Sequence, residues 1–176
     1  VLNELTLFFK ALHFAADKHR DQRRKDVGAT PYINHPIELA ELLSYEGQVS
    51  DINVLIAAVL HDTVEDTKTT QEELEDTFGY EIASIVMEVT DDKSLTNEDR
   101  KRLQIENAAT CSSQAKLVKL ADKICNLRDM SARPPDGWSL ERKRKYFDWS
   151  RRIVSQLRGI NSNLEEIFDK IYAAGP

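Results

Sequence analysis

Apolar residues return at helical spacing along nearly the whole chain, and alternating, strand-like runs are hard to find. Leu5, Phe8, Phe9, Leu12, Ala15, Ala16 and His19 mark one face of a first helix of about five turns. A basic stretch, Arg20 to Lys25, and a loop, Val27 to Pro31, follow it. Pro36 suits the first turn of a second helix, where its missing N–H costs little, and Ile37, Leu39, Ala40, Leu42 and Leu43 supply the buried stripe. Asp51 reads as an N-cap, and Ile52 to Leu60 are almost continuously apolar, which predicts a central helix. Thr70 to Glu73 has capping-box spacing and opens a short helix that stops near Gly79.

Glu81 to Thr90 predicts a further helix, with Ile82, Ile85, Val86 and Val89 inward. Thr96 to Thr110 is polar and helical and predicts a surface helix. A long helix follows over about Ser113 to Ser131, with Leu117, Leu120, Ala121, Ile124 and Leu127 inward. After a Pro-Pro-Asp-Gly loop, Ser139 caps a helix to about Arg158, and Ser162 to Glu165 has capping-box spacing before the last helix. The expectation is an all-α fold: a compact, single-domain helical bundle over residues 1–176.

Composition narrows the function classes. With 41% hydrophobic and 31% charged residues the chain reads as a globular protein with one core. A formal net charge of -6 argues against a general nucleic-acid or membrane-surface binder. No apolar run is long enough to span a bilayer. Cys111 and Cys125 have neither CxxC nor zinc-finger spacing, so a reduced, cytoplasmic protein is expected, with one loop thiol and one packing thiol.

The apolar run of the central helix ends in His61-Asp62, and Glu65-Asp66 follow one turn later. Four polar groups, three of them carboxylates, are costly to bury unless something positive compensates them. A divalent cation is the simplest compensation. His35, His61, Asp62 and Asp122 together offer two imidazoles and two carboxylates. This donor set suits Mn, Fe or Zn better than Ca or Mg, and its lack of thiolate leans to Mn over structural Zn. Taken singly, His35 reads as a helix-start cap or packing residue and Asp122 as a helix-surface charge; the combination is what points to a metal. The basic cluster reads either as a solvated helix end or as an anion-binding rim. Lys119 could add positive field at the site, whereas Lys123 reads as a solvated helix-surface charge.

The order H…HD…D resembles the HD superfamily of metal-dependent phosphohydrolases. Pro31 to Pro36, Leu60 to Asp66, Val118 to Lys123 and Asn126 to Arg128 resemble more closely the hydrolase domain of the RelA/SpoT proteins. Among these the chain is most similar to the short metazoan SpoT homologs and bacterial small alarmone hydrolases, and the likeness runs through Arg100 to Gln104 and on to Tyr146. The resemblance implies a Mn²⁺ ion and release of the 3′-pyrophosphate from ppGpp and pppGpp. It implies His35, His61, Asp62 and Asp122 as metal ligands and Glu65 and Asp66 as the catalytic acidic pair. It further implies Arg24, Lys25, Asn126, Arg128 and Tyr146 as substrate-binding residues. Glu65 and Asp66 remain open between accepting a proton and orienting His61 or a water. The loop from Asp26 to Thr30 is longer than the family's turn. Two rival readings keep the same site: removal of the 2′-phosphate of NADPH, or an alarmone-binding regulator without turnover.

Overall fold

The computed structural model describes residues 3–176, which form helices joined by short loops; no strand forms among the described residues. The helices are α1 (Glu4–Lys18), α2 (Asn34–Glu41), α3 (Ile52–Leu60), α4 (Thr63–Asp66), α5 (Gln71–Phe78), α6 (Tyr80–Val89), α7 (Asn97–Ala108), α8 (Ser113–Ala132), α9 (Leu140–Val154) and α10 (Ser162–Ala174). Side-chain caps open most of them. Asn3 accepts from the Thr6 amide, Asp51 from Asn53, Thr70 from Glu73, Thr96 from Asp99, Ser112 from Ala115 and Ser139 from Arg142. Each satisfies a backbone donor that the helix itself leaves orphaned.

Two local features depart from the sequence expectation. The chain after α2 continues as a π-helical turn, Leu42–Glu46. Gly47 closes that turn where α10 comes in: a Cβ there would stand 2.8 Å from the Leu43 carbonyl oxygen and 3.1 Å from Leu164. The cap of α10 is Asn161, one residue before Ser162. Asn161 Oδ1 accepts from the Leu164 amide at 3.1 Å, while its amide nitrogen donates to the Gly47 carbonyl at 2.8 Å, so the cap also staples α10 to the π turn. Glu165 turns back to accept from the amides of Gly159, Ile160 and Asn161.

α3 is the hub. Val54 and Ile56 to Leu60 are fully buried, and the helix packs against α1, α2, α6 and α8. Leu60→Ala in such a site costs about 2–5 kcal/mol. α8 is the second spine; Leu120, Ala121, Ile124 and Leu127 face the same core and meet α2, α3, α6, α9 and α10. Because α2, α3 and α8 converge, residues 35, 61 and 122 are brought to one place although the chain separates them widely.

Candidate metal centre and nucleotide cavity

α3 ends at Leu60, and His61 and Asp62 form the turn before the single-turn helix α4. Asp62 stands at the N-cap position of α4 but makes no side-chain cap bond, so its carboxylate is available elsewhere. The Asp66 amide still donates to the Asp62 carbonyl at 2.8 Å, so Glu65 and Asp66 follow the His-Asp pair by one turn, as their spacing predicts.

Ligand atoms of His35, His61 and Asp62 all lie within 4.8 Å of one another. Asp122 Oδ1 completes the ring, 3.2 Å from His35 Nε2 and 4.0 Å from His61 Nε2. His61 Nδ1 donates to the Ala58 carbonyl at 2.8 Å. This bond leaves Nε2 as the lone-pair nitrogen, which is the ligating tautomer. Nε2 is buried with no hydrogen-bond partner, yet it lies 2.9 Å from Asp62 Oδ2. A lone pair facing a carboxylate oxygen is repulsive unless a proton or a cation lies between them. Burial alone would drive the His61 pKa down; the Asp62 and Asp122 carboxylates overcome it and lift it to about 9. Burial likewise resists ionisation of both aspartates. His61 holds Asp62 well below the usual carboxylate range, and Lys123 with His35 does the same for Asp122. A buried, mixed imidazole–carboxylate ring with an orphaned nitrogen fits a divalent cation of the Mn or Zn type.

Neighbours hold the ring in shape. Tyr32 donates its hydroxyl to Asp62 Oδ2. Asn126 Nδ2 donates to Asp122 Oδ1 at 2.6 Å, and Lys123 Nζ donates to Asp122 Oδ2 at 2.9 Å. The solvated role expected for Lys123 is therefore corrected. The residue is 7% exposed, its ammonium lies 4.7 Å from the Trp149 ring centre, and the Asp122 carboxylate keeps it charged against the cost of burial. The polar sequence of α7 hides the reason: Trp149 on α9 covers Lys123 and anchors its indole N–H on the Lys101 carbonyl.

Two adjoining cavities meet at the ring and share the walls Arg24, Tyr32, His35, Glu65 and Asn126. The inner one, about 160 Å³, holds His61, Asp62, Asp122, Lys119 and Lys123. The outer one, about 550 Å³, is of a size that takes a nucleotide. Its walls include Lys25, Asp66, Lys93, Arg100, Asp129, Arg133, Trp138 and Tyr146. Arg24 reaches across to Asp129 at 2.5 Å and to Asn126 at 3.4 Å, so the basic cluster divides: Arg20 pairs with Asp17 on the surface while Arg24 and Lys25 face the cavity. The long loop of residues 26–30 is well tied. Asp26 accepts from the Thr30 amide, and isolated bridges join Arg23 to Pro31 and Asp26 to Pro135.

Arg128 is not brought into either cavity. It points to the other side of α8 and forms a forked pair with Glu46 at 2.7 and 2.9 Å. Two residues from Asn126 along a helix is about 200° around its axis, which puts Arg128 on the opposite face. Sequence reasoning also missed the groups that hold the acidic pair. Gln22 donates to Asp66 Oδ2 at 2.8 Å and is itself bonded to the buried His19; Lys93 pairs with the other Asp66 oxygen. Glu65 accepts from the Asp91 amide at 3.1 Å. Burial, offset in part by that amide, combines with the charges of Asp91, Asp62 and Asp66 to push the Glu65 pKa up to about 7.

Comparison with known proteins agrees with this geometry. The HD domain family model matches residues 11–146. The chain is 54% identical to the guanosine-3′,5′-bis(diphosphate) 3′-pyrophosphohydrolase MESH1 of Danio rerio, over 94% of this chain and 92% of that one. It is 52% identical to the protein of the same name from Homo sapiens, over 97% and 95%. A solved structure described as a metazoan ortholog of SpoT that hydrolyzes ppGpp superposes with a TM-score of 0.93 at 52% identity, covering 96% of this chain and 94% of that one.

Proposed function

This chain belongs to the HD domain family, and within it we propose that the chain is a metal-dependent guanosine-3′,5′-bis(diphosphate) 3′-pyrophosphohydrolase. The observation that carries the reading is the junction of three features in one cavity: the His35–His61–Asp62–Asp122 ring, the Glu65–Asp66 pair beside it, and the cationic Arg24–Lys25 wall. Pyrophosphohydrolase relatives match nearly the whole chain at 52–54% identity.

The four ring residues would hold the ion, which we take as Mn²⁺ from the donor set. Bound there, it supplies positive charge to a phosphate oxygen and acidity to water. In the reaction a water oxygen bonds to the phosphorus on the ribose 3′ oxygen. The bond from that phosphorus to the 3′ oxygen breaks, and the 3′ oxygen leaves with the electron pair and takes up a proton. Glu65 and Asp66 are the groups placed to accept the water's proton. In the metal-free protein the Glu65 pKa is pushed up to about 7, and a cation beside it would lower that value and favour the carboxylate that accepts a proton. Gln22 and Lys93 fix the Asp66 carboxylate in orientation. Arg24, preset by Asp129 and lying 5.7 Å from the Tyr32 ring, offers a flat cation for a phosphate or a base. Asn126 bridges Arg24 and Asp122, so it couples the nucleotide wall to the ring. Tyr146, half-buried between Trp138 and Trp149, forms an aromatic part of the wall.

The two free thiols, Cys111 and Cys125, suit a reducing compartment, and we infer that the protein works in the cytoplasm. No helix among the described residues is long and apolar enough to cross a membrane. The test is to incubate the purified chain with Mn²⁺ and ppGpp and identify the products. Pyrophosphate and GDP are expected. Orthophosphate from NADPH with no reaction on ppGpp would overturn the reading.

A further inference from the structure

Arg100 is a cation without a matching partner. It sits on α7, in a stretch whose sequence reads as a solvated surface helix, yet it lines the outer cavity beside Glu65 and Lys93. Its guanidinium makes no hydrogen bond among the described residues. Nη1 stands 3.8 Å from Glu65 Oε1, and Nε is buried with no acceptor. A buried guanidinium donor left unpaired costs about 1–3 kcal/mol, so its fork is suited to an acceptor that arrives with a ligand. Three other cations that line the cavity are engaged in ion pairs. Arg24 holds Asp129, Arg133 holds Asp129 and Glu38, and Lys93 holds Asp66.

We propose that Arg100 is a phosphate-contacting residue, receiving the outer phosphate of the 3′-diphosphate group beside the Glu65–Asp66 pair. The inference rests on the pyrophosphohydrolase reading above. Its physical need is plain: a highly charged diphosphate must approach two carboxylates, and the charge on the transferring group requires a fixed positive partner. Exchanging the loose Glu65 contact for phosphate oxygens satisfies the fork and leaves Glu65 less restrained as proton acceptor. Arg24 and Lys25, at the other wall, remain for the rest of the nucleotide.

The test uses the full chain at fixed free Mn²⁺, with Arg100→Gln and Arg100→Lys compared with the unaltered protein. Metal content and thermal unfolding are measured alongside. For Arg100→Gln, kcat/KM on ppGpp is expected to fall roughly 100-fold, the scale for losing one oriented charge-stabilising donor. Competitive inhibition by pyrophosphate should weaken about tenfold while inhibition by GDP holds, since only the former uses the fork. Arg100→Lys, which keeps the charge and loses the fork, should fall between. Should Arg100→Gln fold poorly, Arg100→Lys alone carries the test, and unchanged pyrophosphate inhibition in it overturns the proposal. So does an Arg100→Gln variant whose pH profile shifts while its pyrophosphate inhibition does not, because that marks an action through Glu65 only. If the unaltered protein releases no pyrophosphate from ppGpp, the functional reading itself fails before any variant is compared.

Discussion

His61 donates its Nδ1 proton to the carbonyl of Ala58, three residues earlier in the last turn of α3, across 2.8 Å. One backbone acceptor therefore selects the imidazole tautomer and aims Nε2 into the ring of ligands. The bond is local, but its consequence depends on Asp62 and Asp122, which face the freed nitrogen from the next turn and from α8.

Removing any member of the ring should remove the ion. His61→Ala, Asp62→Ala and Asp122→Ala are each expected to abolish stoichiometric metal binding, read by mass spectrometry of the desalted protein, and to lower turnover by at least about 1,000-fold. A variant lacking the Asp62 carboxylate that is active without metal would overturn the ligand assignment. Asn126→Ala removes no ligand, only the bonds to Asp122 and Arg24, and should weaken metal affinity by about 10–100-fold.

The acidic pair separates metal binding from chemistry. Glu65→Gln and Asp66→Asn should keep the metal and lose about 100- to 10,000-fold in kcat, the usual range for a positioned acid or base. Gln22→Leu frees one oxygen of Asp66 and should cost less, about tenfold. Metal content equal to that of the unaltered protein, together with lost turnover, is the expected pattern.

The pH dependence follows from Glu65. Its carboxyl is pushed up to about 7, so it is protonated below that pH and cannot accept a proton there. A bound cation pulls the value lower by favouring the anion. Activity should thus fall as the pH drops, with the ascending limb of kcat/KM at or below pH 7, and Glu65→Gln should erase that limb. Stability has the opposite sign. A carboxyl whose folded pKa is raised favours the fold most below its unfolded value and loses that contribution as the pH rises through about 7. In the metal-free protein, Glu65→Gln should therefore gain melting temperature relative to the unaltered chain above pH 7, measured by calorimetry from pH 5 to 9.

Lys123 balances Asp122 within the core. Lys123→Met leaves that carboxylate without its buried cation and should destabilise the metal-free protein by about 3–5 kcal/mol. Adding Mn²⁺ should recover part of the loss, because the ion binds the folded state alone. Chemical denaturation with and without metal checks both.

Arg24 and Arg128 test which face of α8 meets the nucleotide. Arg24→Ala should raise KM for ppGpp about tenfold or more, as expected for a lost charge-assisted contact. Arg128→Ala removes only the exposed pair with Glu46 and should change KM by less than about threefold. Steady-state kinetics on the two variants decides this.

Much of the molecule was legible in order along the chain. Helical periodicity, the caps at Asp51, Thr70 and Ser139, and the apolar run of α3 are local signals, and the structure contains each of them. The motif around His61 and Asp62 carried its own local geometry, because a one-turn offset is a property of any helix. What the sequence could not determine were facts of packing between helices. Which side of α8 faces the cavity depends on how α2, α3 and α8 converge, and that excludes Arg128 and buries Lys123. The cap of α10 moved to Asn161 because the Gly47 carbonyl lay within its reach. Arg100 lies in a stretch that reads as a surface helix, and only the docking of α4 against the chain from Thr90 to α7 sets it and Lys93 beside Glu65 and Asp66. Charge is written in the sequence, but its partner and its exposure depend on distances between residues far apart in the chain, and tertiary structure alone sets those.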